Sequence, residues 1–349
     1  MSNSEHILLQ ELREQPKAVR DTIDAERLKL DHAARLLGRK RIHFLGMGSS
    51  YFASLYANYL FAGLPHIQAT SHIASEFIHY PSVIAPNEIC IALSQSGESI
   101  ETVNAARLLK TRRLFILGVT NQPKSALARV SDHVILTHAG VERASSTKTF
   151  ASTLAILYYL VVSVAARSKA ISERRKSSLI EGMMHVTRLM DSSLDAWSNI
   201  MRHSSTQLAN CRASMVLARG PTVPAALQGA LLMKEVAKIP AEGMTSGEYA
   251  HGPVEAASRR MGVVVLGGGR TSKLQYRLAL RAQALHCRTL MVAPREARGL
   301  DSIGYGDVEE NLAVFPCAVL LELLAYHIAL KKRINPDRFR IIHKVTTQE

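Results

Sequence analysis

The chain has 349 residues, of which 47% are hydrophobic, and carries a formal net charge of +14. This length allows one large or two ordinary domains with buried cores. Its basic residues are scattered among acidic ones and aromatic residues make up only 5%, which argues against a nucleic-acid partner. The polar first 20 residues do not resemble a signal peptide, and we expect no segment of the length and apolar composition that spans a bilayer, so a cytoplasmic protein without a membrane partner is expected.

The cysteines are far apart in the sequence, and most of them lie in apolar, strand-like runs. Neither the spacing of a metal site nor a disulfide framework is present. We therefore expect four buried thiols and no metal or redox cofactor: Cys90, Cys211, Cys287 and Cys317.

Alternating strands and helices are predicted for the first half of the chain. Residues 1–38 are expected to form a helical leader that Pro16 opens near Lys17. Apolar runs then predict strands at 41–45, 67–70, 89–93, 114–119 and 133–137. Helical spacing is found at 51–60, 75–79, 100–109, 125–130 and 150–166. Such alternation indicates an α/β fold with a parallel sheet covered on both faces.

The same pattern returns in the second half of the chain. Met215–Gly220 lies about 172 positions beyond the first strand and its glycine turn, and Gly262–Gly267 lies about 173 beyond Ile89–Ser94. We expect two copies of one α/β domain. The predicted bounds are a leader at 1–38, domains at 39–167 and 206–333, a charged helical connector at 168–205 and a tail at 334–349.

The stretch Ser94–Ser99 joins a buried strand to a helix. Its hydroxyls, backbone amides and helix N-terminus suit an anion such as phosphate. An ordinary serine-rich helix cap is the alternative interpretation. The second copy has Gly267–Ser272 at this place, so we expect a single anion site.

Several separate motifs together resemble the sugar isomerase (SIS) domains of glucosamine-6-phosphate synthase. The resemblance covers the chain from about residue 40 to its end, and the same double-SIS module occurs in aminosugar-phosphate deaminases and in deglycases. The motifs occur in one order: Ala74-Ser75-Glu76-Phe77, Ser94-Gln95-Ser96-Gly97-Glu98, Ser146-Thr147-Lys148-Thr149-Phe150, Lys234-Glu235, Gly247-Glu248 with His251-Gly252-Pro253, and Lys344-Val345-Thr346.

The resemblance implies a sugar-phosphate site built from three segments. The phosphate would be bound by Ser94, Gln95, Ser96 and Ser99, the last standing where the synthase has threonine. The sugar end would contact Ser49 and Ser50, and its hydroxyls would contact the Ala144-Ser145-Ser146 loop.

The resemblance also implies three catalytic residues. Glu235 would move a proton between C1 and C2, and the apolar residues around it suggest burial that raises its pKa. Its alternative is a surface carboxylate paired with a neighbouring lysine. His251 would open the sugar ring in the active site of the neighbouring subunit, which implies a homodimer with shared sites. Lys344 would close the site and form a Schiff base.

The sequence departs from the synthase pattern at two positions on the helix that carries Glu235. Gln228 replaces a glutamate and Leu232 replaces a lysine, so the substrate or the reaction is expected to differ. The start of the chain lacks the cysteine of a glutaminase domain, which favours a reaction that releases ammonia from an aminosugar phosphate. The alternatives are a deglycase of phosphorylated Amadori compounds and a non-catalytic sugar-phosphate sensor.

Overall fold

The computed structural model describes residues 5–341 and divides them into two compact units. The first unit comprises residues 14–142 and 148–187. The second unit comprises residues 5–13, 143–147 and 188–341. Each unit contains one sheet of five parallel strands.

The first unit has the strand order β2-β1-β3-β4-β5. The strands are β1 Ile42–Gly46, β2 Ala69–Ile73, β3 Ile89–Leu93, β4 Phe115–Thr120 and β5 His133–Leu136. The helices between and after them are α2 Gly48–Gly63, α3 Ala74–His79, α4 Ile100–Thr111, α5 Ala126–Val130 and α6 Lys148–Arg167. β1 and β3 are buried along their whole length, as central strands of a covered parallel sheet must be.

The second unit repeats this topology with the order β7-β6-β8-β9-β10. Its strands are β6 Ala213–Ala218, β7 Ala241–Thr245, β8 Met261–Leu266, β9 Arg288–Ala293 and β10 Asp301–Gly304. Its helices are α8 Val223–Glu235, α9 Ser246–Tyr249, α10 Ser272–Ala284 and α11 Val314–Lys331. The shared order confirms the prediction of two tandem α/β domains.

Two long helices occupy the predicted leader and connector. α1 runs from Ile7 to Leu37 with Pro16 inside it, so the prediction that Pro16 opens this helix was wrong. Its first turn is instead capped by the Asp337 carboxylate, which accepts hydrogen bonds from the Ile7 and Leu8 amides at 3.0 and 2.9 Å. α7, Glu173–Leu208, covers most of the predicted connector. The predicted domain bounds themselves stay a prediction.

Two helices among the described residues are long and apolar enough to cross a membrane, at Lys148–Arg167 and Glu310–Lys331. The expectation that no segment has this length and composition was therefore wrong. Both helices are core elements, since 94% and 100% of their apolar stretches are buried inside the protein. The four cysteines are free and buried, as predicted.

Candidate functional site

The Ser94–Ser99 turn leaves the carboxyl end of β3 with two of its hydroxyls oriented by the backbone. Ser94 Oγ accepts a hydrogen bond from the Gly97 amide and Ser96 Oγ accepts one from the Glu98 amide, both at 3.1 Å. Neither hydroxyl proton has an acceptor among the described residues, so both are available to an anion. The turn therefore offers two oriented donors.

The turn is held rigidly against the start of α5. Gly97 has φ +64°, and a Cβ at this position would overlap the Ser125 hydroxyl. The Gly97 carbonyl accepts a hydrogen bond from the Leu127 amide at 2.9 Å. The Glu98 carboxylate accepts one from the Ala126 amide, also at 2.9 Å. These contacts fix the turn before any ligand arrives, which lowers the entropy cost of binding.

The predicted phosphate contacts are not equivalent. Gln95 is half-buried, and its carbonyl accepts hydrogen bonds from the Asn121 amide and the Thr120 hydroxyl. Ser99 already donates its hydroxyl proton to the Glu101 carboxylate at 2.9 Å. Ser99 can therefore donate to a phosphate only if its hydrogen bond to Glu101 breaks. The hydroxyls of Ser94 and Ser96 can donate to a phosphate without breaking a hydrogen bond.

Ser49 and Ser50 lie at the same edge of the first sheet. They occupy the first turn of α2, whose cap residue Met47 makes no side-chain hydrogen bond. β1 pairs directly with β3, so the turns that follow the two strands are neighbours. Because the chain runs to opposite sides of the sheet from these two strands, this edge is the switch point where ligands bind in such folds.

An open depression of about 380 Å³ borders the Ser94–Ser99 turn. Ser96 and Glu98 line one side, and residues 122–125, which follow β4, line the other. Lys124 is exposed at this rim and carries a positive charge, which would attract a phosphate. No sequence motif points to Lys124, because this residue lies outside the serine-rich stretch.

Glu235 belongs to the second unit, where it is the last residue of α8 and is half-buried. Lys234 beside it is exposed, whereas the Lys238 ammonium contacts the Glu235 backbone carbonyl. Burial lowers the pKa of Lys238 below its usual range. The predicted role of Glu235 as a proton-transfer base stays a prediction.

His251 lies in the turn after α9, and its side chain is exposed. Its amide donates to the Glu248 carbonyl at 2.9 Å, which fixes the backbone and leaves the imidazole presented to solvent. Within this chain β7 separates His251, which follows that strand, from Glu235, which precedes it, by about 15 Å along the sheet. Glu235 and His251 thus lie toward opposite ends of β7 in this chain.

The Ala144-Ser145-Ser146 loop also belongs to the second unit, with Ala144 and Ser145 buried. The Gln228 side chain donates a hydrogen bond to the Ser146 carbonyl at 2.7 Å. Leu232 is fully buried. Lys344 lies outside the described residues.

The SIS domain family matches residues 35–163. The isomerizing glutamine–fructose-6-phosphate aminotransferase of Pyrococcus horikoshii is 33% identical over 365 residues, covering 99% of this chain and 58% of the relative. The enzyme of that name from Synechocystis is 30% identical, with coverages of 99% and 59%. The chain thus spans less than two thirds of the length of these relatives.

Solved structures show the same architecture. The C-terminal domain of glucosamine-fructose-6-phosphate aminotransferase from Francisella tularensis has a TM-score of 0.87 at 25% identity, covering 95% of this chain and 97% of that one. Glucosamine-6-phosphate deaminase from Thermotoga maritima has a TM-score of 0.77 at 20% identity, with coverages of 97% and 99%, and shows the shared fold.

Two parallel sheets of identical strand order, one with a hydroxyl-lined turn at its switch point, define a tandem α/β protein. Residues 35–163 form an SIS domain, and the architecture of the chain matches that of two tandem SIS domains.

Proposed function

We propose that the chain is a sugar-phosphate isomerase that converts an aminosugar 6-phosphate into a ketose 6-phosphate and releases ammonia. The observation that carries this proposal is the Ser94–Ser99 turn, which offers two unused hydroxyl protons at the switch point of the first sheet. Relatives of 30–33% identity carry fructose 6-phosphate in their names, which supports a hexose 6-phosphate as the ligand.

The chemistry follows from acid/base groups acting on an open-chain sugar. His251 would protonate the ring oxygen as the ring opens, which gives a free aldehyde at C1. Glu235 would then take the proton from C2 and deliver it to C1, while the C1 oxygen gains a proton and the amine nitrogen loses one, so the 2-amino aldose becomes a 2-imino compound with a C1 hydroxyl. Addition of water to the C2 imine and loss of ammonia gives the ketose. No redox step is needed in this sequence.

We further propose that two subunits share each active site. The positions of Glu235 before β7 and of His251 after it support this, because the two residues lie toward opposite ends of that strand. A mixture of the Glu235→Gln and His251→Ala variants should then regain activity, since a mixed dimer contains one site with both groups intact. Exchanged heterodimers that stay inactive would refute the shared site.

A deglycase of phosphorylated Amadori compounds stays the alternative enzyme, since the apolar Leu232 replaces a lysine of the synthase and would tolerate a bulkier amine group. The sensor alternative predicts binding without turnover. It therefore differs from the enzyme in one measurement, the release of ammonia.

The decisive experiment measures ammonia and ketose formation from a panel of hexosamine 6-phosphates and phosphorylated Amadori compounds. We expect turnover of at least one hexosamine 6-phosphate and its loss in Glu235→Gln. Glu242→Gln is the matched control, because Glu242 is an exposed carboxylate in the same unit, and it should keep full activity. Amine release from the Amadori compounds alone, or tight binding with no turnover, would overturn the proposal.

A further inference from the structure

The segment of residues 143–147, here called the serine loop, is hydrogen-bonded by two buried side chains of the second unit. The Glu11 carboxylate of α1 accepts hydrogen bonds from the Arg143 and Ala144 amides at 2.5 and 3.2 Å. From the other side, the Gln228 side chain donates to the Ser146 carbonyl at 2.7 Å. Glu11 and Gln228 are both nearly or fully buried, with 4% and 0% exposure. The loop is thus clamped at its start by a charge and near its end by an amide.

The chemistry of the second contact requires an amide. A carbonyl oxygen accepts hydrogen bonds only, and of the two groups on Gln228 only the NH₂ donates. A carboxylate of the same shape would set an anionic oxygen against the Ser146 carbonyl and repel it. The contact therefore depends on this residue being glutamine.

The side-chain oxygen of Gln228 is left without a partner among the described residues when its NH₂ group makes this contact. This atom, Oε1, is buried. A buried acceptor without a partner destabilises a fold, so core packing alone does not account for this residue. Gln228 instead links the serine loop to α8, the helix that ends at Glu235 two turns after Gln228.

We infer that Gln228 is the positioning residue of the serine loop and that it acts together with Glu11. The effect on catalysis rests on the proposed function, in which the loop contacts the sugar hydroxyls. Through Gln228 the helix that carries the proposed base also sets the position of the sugar. The contact itself is a property of the protein without ligand.

The first test is hydrogen exchange of the Arg143 and Ala144 amides in the full chain without ligand. Gln228→Met keeps the length and removes the donor, so loop exchange should become about fivefold faster, as expected for the loss of one hydrogen bond. Gln283→Glu is the matched control, since the Gln283 amide also donates to a backbone carbonyl, that of Gly299, but on the exposed end of α10. It should leave loop exchange unchanged.

The second test uses Gln228→Glu and pH. At neutral pH the carboxylate should repel the Ser146 carbonyl, and KM for the sugar phosphate should rise about tenfold with a smaller change in kcat. As the pH falls, a protonated carboxyl donates to the carbonyl, so both KM and loop exchange should return toward the wild-type values measured at the same pH. Gln228→Met has no such group and should show no recovery.

The outcomes separate this inference from the proposed function. Unchanged loop exchange in Gln228→Met, or equal effects of Gln228→Glu and Gln228→Met at every pH, would refute the positioning role even in an active enzyme. Absence of turnover on every substrate would refute the proposed function while the exchange measurement still decides the role of Gln228. If the Gln228→Glu variant does not fold, Gln228→Met and Glu11→Gln decide it by the same exchange measurement.

Discussion

The turn after β3 and the turn after β8 occupy the same place in the two units but have opposite chemistry. Both begin with an equivalent backbone hydrogen bond. The Ser94 amide donates to the Val119 carbonyl at 3.0 Å, and the Gly267 amide donates to the Val292 carbonyl at 2.7 Å. The first turn then presents hydroxyls, whereas the second has glycine at three successive positions, 267–269. The duplicated backbone is therefore kept while the binding groups are not.

The second turn already holds an anion of its own. The Glu310 carboxylate accepts hydrogen bonds from the Arg270 backbone amide at 3.2 Å and from the Arg270 side chain at 3.0 Å. The Tyr305 hydroxyl donates to the Gly267 carbonyl at 3.1 Å. A protein carboxylate thus occupies one backbone donor that would otherwise be open to a ligand. The comparison shows that the two turns differ in their free donors, since the first presents the hydroxyls of Ser94 and Ser96 and the Arg270 amide of the second is already bound to Glu310.

The largest expected effect comes from removing the hydroxyls of the first turn. In a Ser94→Ala/Ser96→Ala variant, two donors to a charged phosphate are lost, each worth roughly 1.5–3 kcal/mol, so sugar-phosphate affinity should fall about 100-fold or more. Isothermal titration calorimetry measures this. Ser272→Ala, at the position of the second turn that corresponds to Ser99, is the control and should bind normally. Unchanged affinity in the double variant would place the phosphate elsewhere.

A smaller effect is expected from the glycines that shape the two turns. Gly97→Ala forces a positive φ on alanine and overlaps the Ser125 hydroxyl, so the free energy of unfolding should fall by about 2 kcal/mol and ligand affinity should fall with it. Gly268→Ala, with φ +136° and a Cβ 2.6 Å from the Tyr305 hydroxyl, should lose similar stability but keep ligand affinity. Thermal unfolding and calorimetry separate the two results. Equal loss of affinity in both variants would contradict the difference between the turns.

The two sheets also differ in their interior, at equivalent positions. In the first unit, His43 contacts His72 at 3.1 Å and Glu88 at 2.9 Å. The corresponding positions of the second unit, about 172–173 residues later, carry methionine. These methionines are Met215, Met244 and Met261, and all three belong to or pack on one hydrophobic cluster. One sheet therefore contains a titratable cluster where the other has only apolar packing.

This difference predicts acid sensitivity in the first unit. Burial, with a contribution from His43, lowers the pKa of His72 to about 4. Since this value lies below that of an unfolded histidine, the unfolded state binds more protons between about pH 6.5 and 4, and the free energy of unfolding should fall as the pH drops through that range. The expected loss is about 1–2 kcal/mol, because His72 retains partial exposure.

His72→Met introduces the residue found at the equivalent position of the second unit. It should make the free energy of unfolding depend less on pH. Urea unfolding at pH 7 and pH 5 measures it, and His79→Met, which replaces an exposed histidine on α3, is the control. A variant that keeps the full wild-type difference between the two pH values would show that His72 does not cause it. The Glu88 carboxylate, whose pKa is lowered, contributes only at lower pH, below its usual value.

The sequence predicted the central strands well because their burial is complete. β1, β3 and β8 are buried at every position, and apart from His43 in β1 each forms a run of apolar residues and glycine. The edge strands β7 and β10 were not predicted, since both are only partly buried and their sequences mix polar and apolar residues. α11 was also missed, because a helix buried on all sides shows no amphipathic period.

The candidate site was predictable only where its chemistry lies in one short stretch. The Ser94–Ser99 turn could be recognised because strand, hydroxyls and helix follow one another directly. The contact from Gln228 to Ser146 spans 82 residues and joins a side chain to a backbone carbonyl, so no local pattern signals it. The same holds for Glu310, whose carboxylate reaches Arg270 across 40 residues.

The smallest expected effect tests the internal anion of the second turn. Glu310→Gln keeps an acceptor oxygen for the Arg270 amide but removes the charge, and the Arg270 side chain is 85% exposed, so the free energy of unfolding should fall by only about 1 kcal/mol or less. Sugar-phosphate affinity should not change, because the first turn is intact. Asp307→Asn is the matched control: its partner Arg295 lies 2.7 Å away, both side chains are largely exposed, and no measurable loss is expected. Inorganic phosphate should stabilise Glu310→Gln slightly more than the wild type. In that variant the Arg270 amide lies next to a neutral side chain, which repels phosphate less than the carboxylate does. Phosphate that stabilises both proteins equally would show that Glu310 does not keep this turn closed to anions.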